Sequence, residues 1–127
     1  MYEPKYFNWS EFDSPDIEGS GRANMSVDFV KLLDSIRGEV GIPFKITSGF
    51  RSASYNEDLR QRGYSASKTS AHLLGRAVDV ACTDSRTRYK IVKAAISHGC
   101  RVGVAKSFVH IDNCSEADGK PVALWTY

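Results

Sequence analysis

The sequence offers few residues for chemistry: histidine occurs three times and cysteine three times in 127 residues. The cysteines, Cys82, Cys100 and Cys114, are odd in number and widely spaced, with no CxxC. That excludes a complete disulfide framework and a thiolate zinc knuckle, and predicts reduced, small, partly buried side chains. No apolar run reaches the roughly 20 residues that span a bilayer, so membrane insertion is not expected. The opening "MYEPKYFNWSEF" has neither a basic leader nor an apolar core, which predicts cytoplasmic synthesis without a Sec signal. Charge of one sign is lacking too. Seventeen Lys and Arg face fifteen Asp and Glu, a scattered net of +2 that gives nucleic-acid binding no support. Repeats and low-complexity tracts are absent, and the expectation is one domain over 1–127, acting as a monomer.

What is present is an ordinary globular pattern, 42% hydrophobic and 25% charged. The first two dozen residues are polar and aromatic and end in a Gly/Ser/Pro-rich loop, "SPDIEGSGRAN". Met25, Phe29, Leu32, Leu33, Ile36 and Val40 then recur at helical spacing, with Asn24 or Ser26 as cap and Gly41 as stop. "IPFKITSGF" predicts a short strand, "SASYNEDLRQRG" a helix capped by Ser52 or Ser54, and "GRAVDVAC" a buried strand. "TDSRTRYKIVKAAISHG" predicts a second amphipathic helix with Tyr89, Val92, Ala95 and Ile96 on one side. Three strands, "RVGVA", "SFVHIDN" and "VALWTY", close the chain, and Asp118-Gly119 signals a hairpin between the last two. The fold class predicted is α+β, with helices packed on a mostly antiparallel sheet.

The histidines divide by their neighbours. His98, in "AISHG", ends a helix, where its charge suits the C-terminal dipole. His72 and His110 each have a carboxylate nearby on a strand-like segment. In "SAHLLGRAVDV", Asp79 follows His72 by seven positions. In "FVHID", alternation puts Phe108, His110 and Asp112 on one face and Val109 and Ile111 on the other. Two imidazoles and one aspartate suit a zinc ion that keeps a position open for water. Spacing alone leaves a structural reading open, since no HExxH occurs.

Taken in order, "ITSGFRS", "SAHLLGRAVDV", "FVHID" and the late tryptophan of "ALWTY" resemble the zinc D-alanyl-D-alanine carboxypeptidase family. That family shares the hedgehog/DD-peptidase fold with van-type dipeptidases and phage peptidoglycan endopeptidases. The resemblance runs from about Asn8 to Tyr127. It implies that His72, Asp79 and His110 hold one zinc ion, and that Arg51 steadies the substrate and its developing negative charge. Ser70 matches a position that can hydrogen-bond substrate, with loop capping as the alternative. Asn56 matches an asparagine read as support for the arginine loop. Trp125 and Tyr127 are candidates for the cleft wall, with core packing the alternative for at least one of them.

Many relatives of the dipeptidase and endolysin type carry an acid three residues before the last zinc histidine, as general base. This chain has Ser107 there. Asp112 is then the nearest carboxylate, either assisting water or orienting a ligand. The resemblance implies a zinc metallopeptidase acting on bacterial peptidoglycan stem peptides, D-Ala-D-Ala carboxypeptidase in type. A phage endolysin-type L-Ala-D-Glu endopeptidase and a non-catalytic zinc-containing wall-binding module are the alternatives. Without a signal, the wall would be reached after holin release or as part of a virion.

Overall fold

Ser26 opens the longest helix by accepting a hydrogen bond from the Phe29 N–H, and α2 (Val27–Val40) stops where Gly41 turns left-handed. The computed structural model describes residues 2–127. A short α1 (Ser20–Asn24) precedes that helix. After it come α3 (Ala53–Gln61), capped by Ser52, and α4 (Ser85–Ser97), capped by Asp84. Five strands, β1 (Ile46–Ser48), β2 (Ala77–Ala81), β3 (Arg101–Val104), β4 (Phe108–Asp112) and β5 (Leu124–Thr126), form one sheet in the order β1-β2-β4-β3-β5. Only the β3–β5 pairing is parallel, so the mostly antiparallel α+β expectation holds.

Alternation decides which face does what. Val78, Val80, Val102, Val109 and Ile111 point into the core, where they join Phe29, Leu33 and Ile36 of α2 and Ile91 and Ala95 of α4. The residues between them face the other way and are free for a site. All three cysteines are buried and unpaired, and burial, with Asp112 nearby, pushes the Cys100 thiol up to about 11.

Three expectations are corrected. Asp118-Gly119 is not a hairpin turn: Glu116–Asp118 forms a 3-10 turn closed by Gly119, and β5 pairs with the outer edge of β3 rather than with β4. The link is anchored by Arg76, whose guanidinium donates to the Asn113 carbonyl at 2.8 Å and to Asp118 at 2.9 Å. The buried stripe of α4 is Ile91, Ala94 and Ala95, while Tyr89 and Ile96 are 67% and 47% exposed. The two alanines let the helix lie close to the sheet, which a Tyr–Ile stripe would prevent. Finally, the loop expected over Ser14–Asn24 ends in a helical turn, α1, and the aromatic residues before it are anchored. Phe7, Trp9 and Phe12 enter the core, and the Phe12 carbonyl accepts from Phe50 N–H at 2.8 Å, just beyond β1.

Candidate metal centre

The site is assembled on one transverse row of the sheet. Ser48 pairs with Asp79, Asp79 with His110, His110 with Gly103, and Gly103 with Trp125, one residue from each strand. Directly paired residues project to the same face, so register alone sets Asp79 beside His110 and Trp125 across Gly103. A Cβ at Gly103 would lie 2.6 Å from the indole, so glycine is what lets Trp125 lie flat over the strand. The indole meets the His110 ring at 5.4 Å between centroids, and the Arg101 guanidinium stacks on it at 4.8 Å.

His72 reaches this row from outside the sheet. It sits in a 3-10 turn, Ala71–Leu74, whose cap is Ser70: the serine hydroxyl accepts the His72 N–H at 3.2 Å. Gly75 ends the turn at φ 67°, and a Cβ there would fall 2.1 Å from the Asn24 carbonyl oxygen. Only glycine fits both demands, the positive φ and the close approach.

His72, Asp79 and His110 are all buried, with one donor atom from each within 4.8 Å of the others. Asp79 Oδ1 lies 3.3 Å from His72 Nε2 and 3.0 Å from His110 Nδ1. The outer ring nitrogens are occupied. His72 Nδ1 donates to the Gly49 carbonyl at 2.7 Å, and His110 Nε2 donates to Asp112 Oδ2 at 2.7 Å. That arrangement turns His72 Nε2 and His110 Nδ1 inward, each able to serve as a ligand once it gives up any proton it carries, as metal-binding imidazoles require. Tetrahedral zinc with arms of about 2.0–2.1 Å has donor–donor edges of about 3.3 Å, so the donor set and the two edges that meet at Asp79 fit that ion.

Electrostatics within the triad run in opposed directions. Burial lowers the pKa of His72, with Asp79 working against it. Burial also pulls on His110, but its bonds to Asp112 and Asp79 outweigh that and raise it. Burial would favour the acid form of Asp79, yet the two histidines hold it far below the ordinary carboxylate range. Arg51 adds a fourth charge. Its Nε donates to Ser48 Oγ at 3.1 Å, one terminal nitrogen lies 3.4 Å from Asp79 Oδ2, and its backbone N–H donates to the His72 carbonyl.

Every residue expected at the site lines one cavity of about 220 Å³: His72, Asp79, His110, Arg51, Asp112, Ser70 and Trp125. A second cavity of about 440 Å³ continues from it, sharing Arg51, Ser65, Asp79, Phe108 and Tyr127. All three triad residues line the smaller cavity, and Asp79 with Arg51 also lines the larger one, so the two arms meet at the Arg51–Asp79 edge of the triad. His98 lies elsewhere, 3.6 Å from Glu39, and Ser107 is exposed and outside both cavities. Asn56 does not brace the arginine loop through its side chain. It donates to the Ser67 carbonyl at 2.9 Å and so ties α3 to the loop that leads to His72.

Sequence reasoning missed Arg101, Lys120, Tyr55 and Tyr64 as cleft residues. Alternation in "RVGVA" could have placed Arg101 on the His110 face, given the register of β3 against β4. The other three sit in loops or on an exposed helix side, where no period exists to read.

A family model described as Peptidase M15 matches residues 6–112. No curated protein matches the sequence. Among solved structures, the chain is similar to the L-Ala D-Glu endopeptidase ChiX of Serratia marcescens. The TM-score is 0.57 at 20% identity, over 75% of this chain and 84% of that one, a likeness of fold.

Proposed function

The chain belongs to the peptidase M15 family, and from that premise we propose that it is a zinc-dependent endopeptidase cleaving the L-Ala–D-Glu bond of peptidoglycan stem peptides. The observation that carries this reading is a cleft that continues past the triad: the triad lines a cavity of about 220 Å³, which is joined at Arg51 and Asp79 to a second of about 440 Å³. A bond inside a chain needs room on both sides of the hydrolytic centre, whereas trimming a terminal D-Ala needs one side closed. A carboxypeptidase would leave one arm without a role. The Serratia marcescens protein similar in fold is itself an L-Ala D-Glu endopeptidase, which supports the same bond.

Zinc held by His72, Asp79 and His110 would supply Lewis-acid polarisation of the scissile carbonyl and a water molecule more acidic by many units. The protein's own groups do the rest. Gly49 and Asp112 hold the two imidazoles in the required tautomer and orientation. Arg51 is oriented by Ser48 and Asp79 and lines both arms, so its remaining N–H groups meet the carbonyl oxygen as negative charge develops there. Ser70 caps the His72 turn and also lines the cleft, within reach of substrate backbone. Asp112 acts as a positioning residue, because both of its oxygens are already engaged.

One observation favours a second reading. Among the described residues the acids lining the cleft are Asp79 and Asp112, both committed, so none of these lining carboxylates stands free to take a proton. A non-catalytic zinc-containing wall-binding module has no need of one. Mass analysis of a defined stem tetrapeptide separates the readings. The protein loaded with zinc should release L-Ala and leave a fragment beginning with D-Glu, and chelator should stop it. Release of D-Ala would indicate carboxypeptidase activity, and intact peptide with one bound zinc would indicate the binding module. Asp79→Ala and His110→Ala should each abolish zinc retention by elemental analysis, whereas His98→Ala should keep it.

A further inference from the structure

We propose that the larger arm of the cleft is a saccharide subsite, holding the N-acetylhexosamine ring to which the cleaved peptide is attached. The inference rests on the endopeptidase reading above. The arm begins at the hydrolytic centre, since Arg51 and Asp79 line it, and it runs out between Tyr55, Tyr64, Phe108 and Tyr127. Its volume of about 440 Å³ falls within the range of small-molecule sites, about 300–1,000 Å³. Tyr64 and Tyr127 are 61% and 56% exposed, so large aromatic surfaces stand toward solvent even though Tyr127 also touches the Phe108 ring at 5.2 Å between centroids. Around them lie the hydroxyl-bearing residues Thr47, Ser48 and Ser65.

The chemistry of the substrate selects the occupant. A stem peptide offers methyl groups, carboxylates and an amine, none of which fills an aromatic arm. The sugar next to its first alanine has an apolar C–H face that stacks on aromatic rings. Its edge of hydroxyl and acetamido groups suits tyrosine and serine hydroxyls. Charge gives the substrate a direction. The smaller arm carries Arg101 and Lys120, and Lys120 makes no ion pair among the described residues. That cationic end suits the D-Glu half with its carboxylate, which leaves the sugar-bearing acyl half for the aromatic arm.

Tyr64 is the ring to test. Its N–H donates to the Leu59 carbonyl at 3.0 Å and the Arg62 guanidinium lies 5.4 Å from its ring centroid, yet it is exposed, so truncation spares the core. The metal-free protein is titrated by calorimetry with N-acetylmuramoyl-L-alanine and with N-acetyl-L-alanine, which lacks the sugar. The wild type should bind the sugar-bearing probe more tightly by about tenfold, the worth of one stacking contact. Tyr64→Ala should abolish that preference and Tyr64→Phe should keep it. In turnover, the kcat/KM ratio of disaccharide-linked to free tetrapeptide should fall by a similar factor in Tyr64→Ala. Equal binding of both probes, or a preference that survives Tyr64→Ala, overturns the subsite. Cleavage of both peptides at equal rates with no probe preference removes the subsite and leaves the endopeptidase. Sugar preference without any cleavage does the reverse.

Discussion

Asp112 is almost wholly buried, and each of its oxygens has an occupant: His110 Nε2 on Oδ2, the Cys114 N–H and Arg101 on Oδ1. Burial alone would raise its pKa, but the His110 bond, with Arg101 and Cys114 behind it, holds it below the ordinary value. An anion so fixed strengthens the imidazole opposite it as a ligand. Asp112→Asn should therefore weaken zinc binding about 10–100-fold, read by competition with a chromophoric chelator. Unchanged affinity would show that the carboxylate charge does not serve His110. The alternation of "FVHID" is enough to place Asp112 on the face of His110. Its occupation by Arg101 and Cys114 is not legible there, because one partner comes from the neighbouring strand and the other from the bend after β4.

Among elements, the pairing of β2 with β4 matters most. Asp79 lies opposite His110 in a ladder running from Ala77–Asp112 to Ala81–Phe108, and a slip of one residue would turn Asp79 into the core. The turn that carries His72 depends on Gly75. Gly75→Ala should cost about 1–3 kcal/mol of stability in urea denaturation, from backbone strain before any collision with Asn24 is counted. It should also weaken zinc retention, since the turn would have to move; full stability with full retention would contradict this account. Elements with a period or a cap are readable: of the candidates Asn24 or Ser26 and Ser52 or Ser54, Ser26 and Ser52 make the cap bonds. The hairpin is not, because Asp118-Gly119 has the same local chemistry in a hairpin and at the end of a 3-10 turn. Only the Arg76 anchors, over forty residues away in sequence for Asp118, decide between them.

The whole molecule is bound together by side chains that join distant segments. Asp16 accepts from Ser14 Oγ at 2.5 Å and from Ser52 Oγ at 2.6 Å, fastening the N-terminal segment to the start of α3. These serine bonds lower the pKa of Asp16, and the Ser115 N–H and Arg76 do the same for Asp118. A carboxylate lowered in the fold adds stability above the ordinary aspartate range and loses it as pH falls through that range toward the folded value. The metal-free protein should therefore hold its calorimetric Tm down to about pH 5 and lose it progressively below about pH 4. A Tm constant to pH 2 would show that these bonds do not favour the charged forms. The N-terminal contribution escaped the sequence because Phe7 precedes any element and Trp9 and Phe12 share a single 3-10 turn, too short to show a period. The placement of β5 also has a practical side. Tyr127 stands on the wall shared by both arms, whereas Tyr2 is bonded to Asp34 on α2, across the sheet from the cleft. A bulky reagent coupled to the exposed Tyr127 ring would stand at the mouth of the cleft and compete with anything entering it, whereas the same reagent on Tyr2 would lie clear of it.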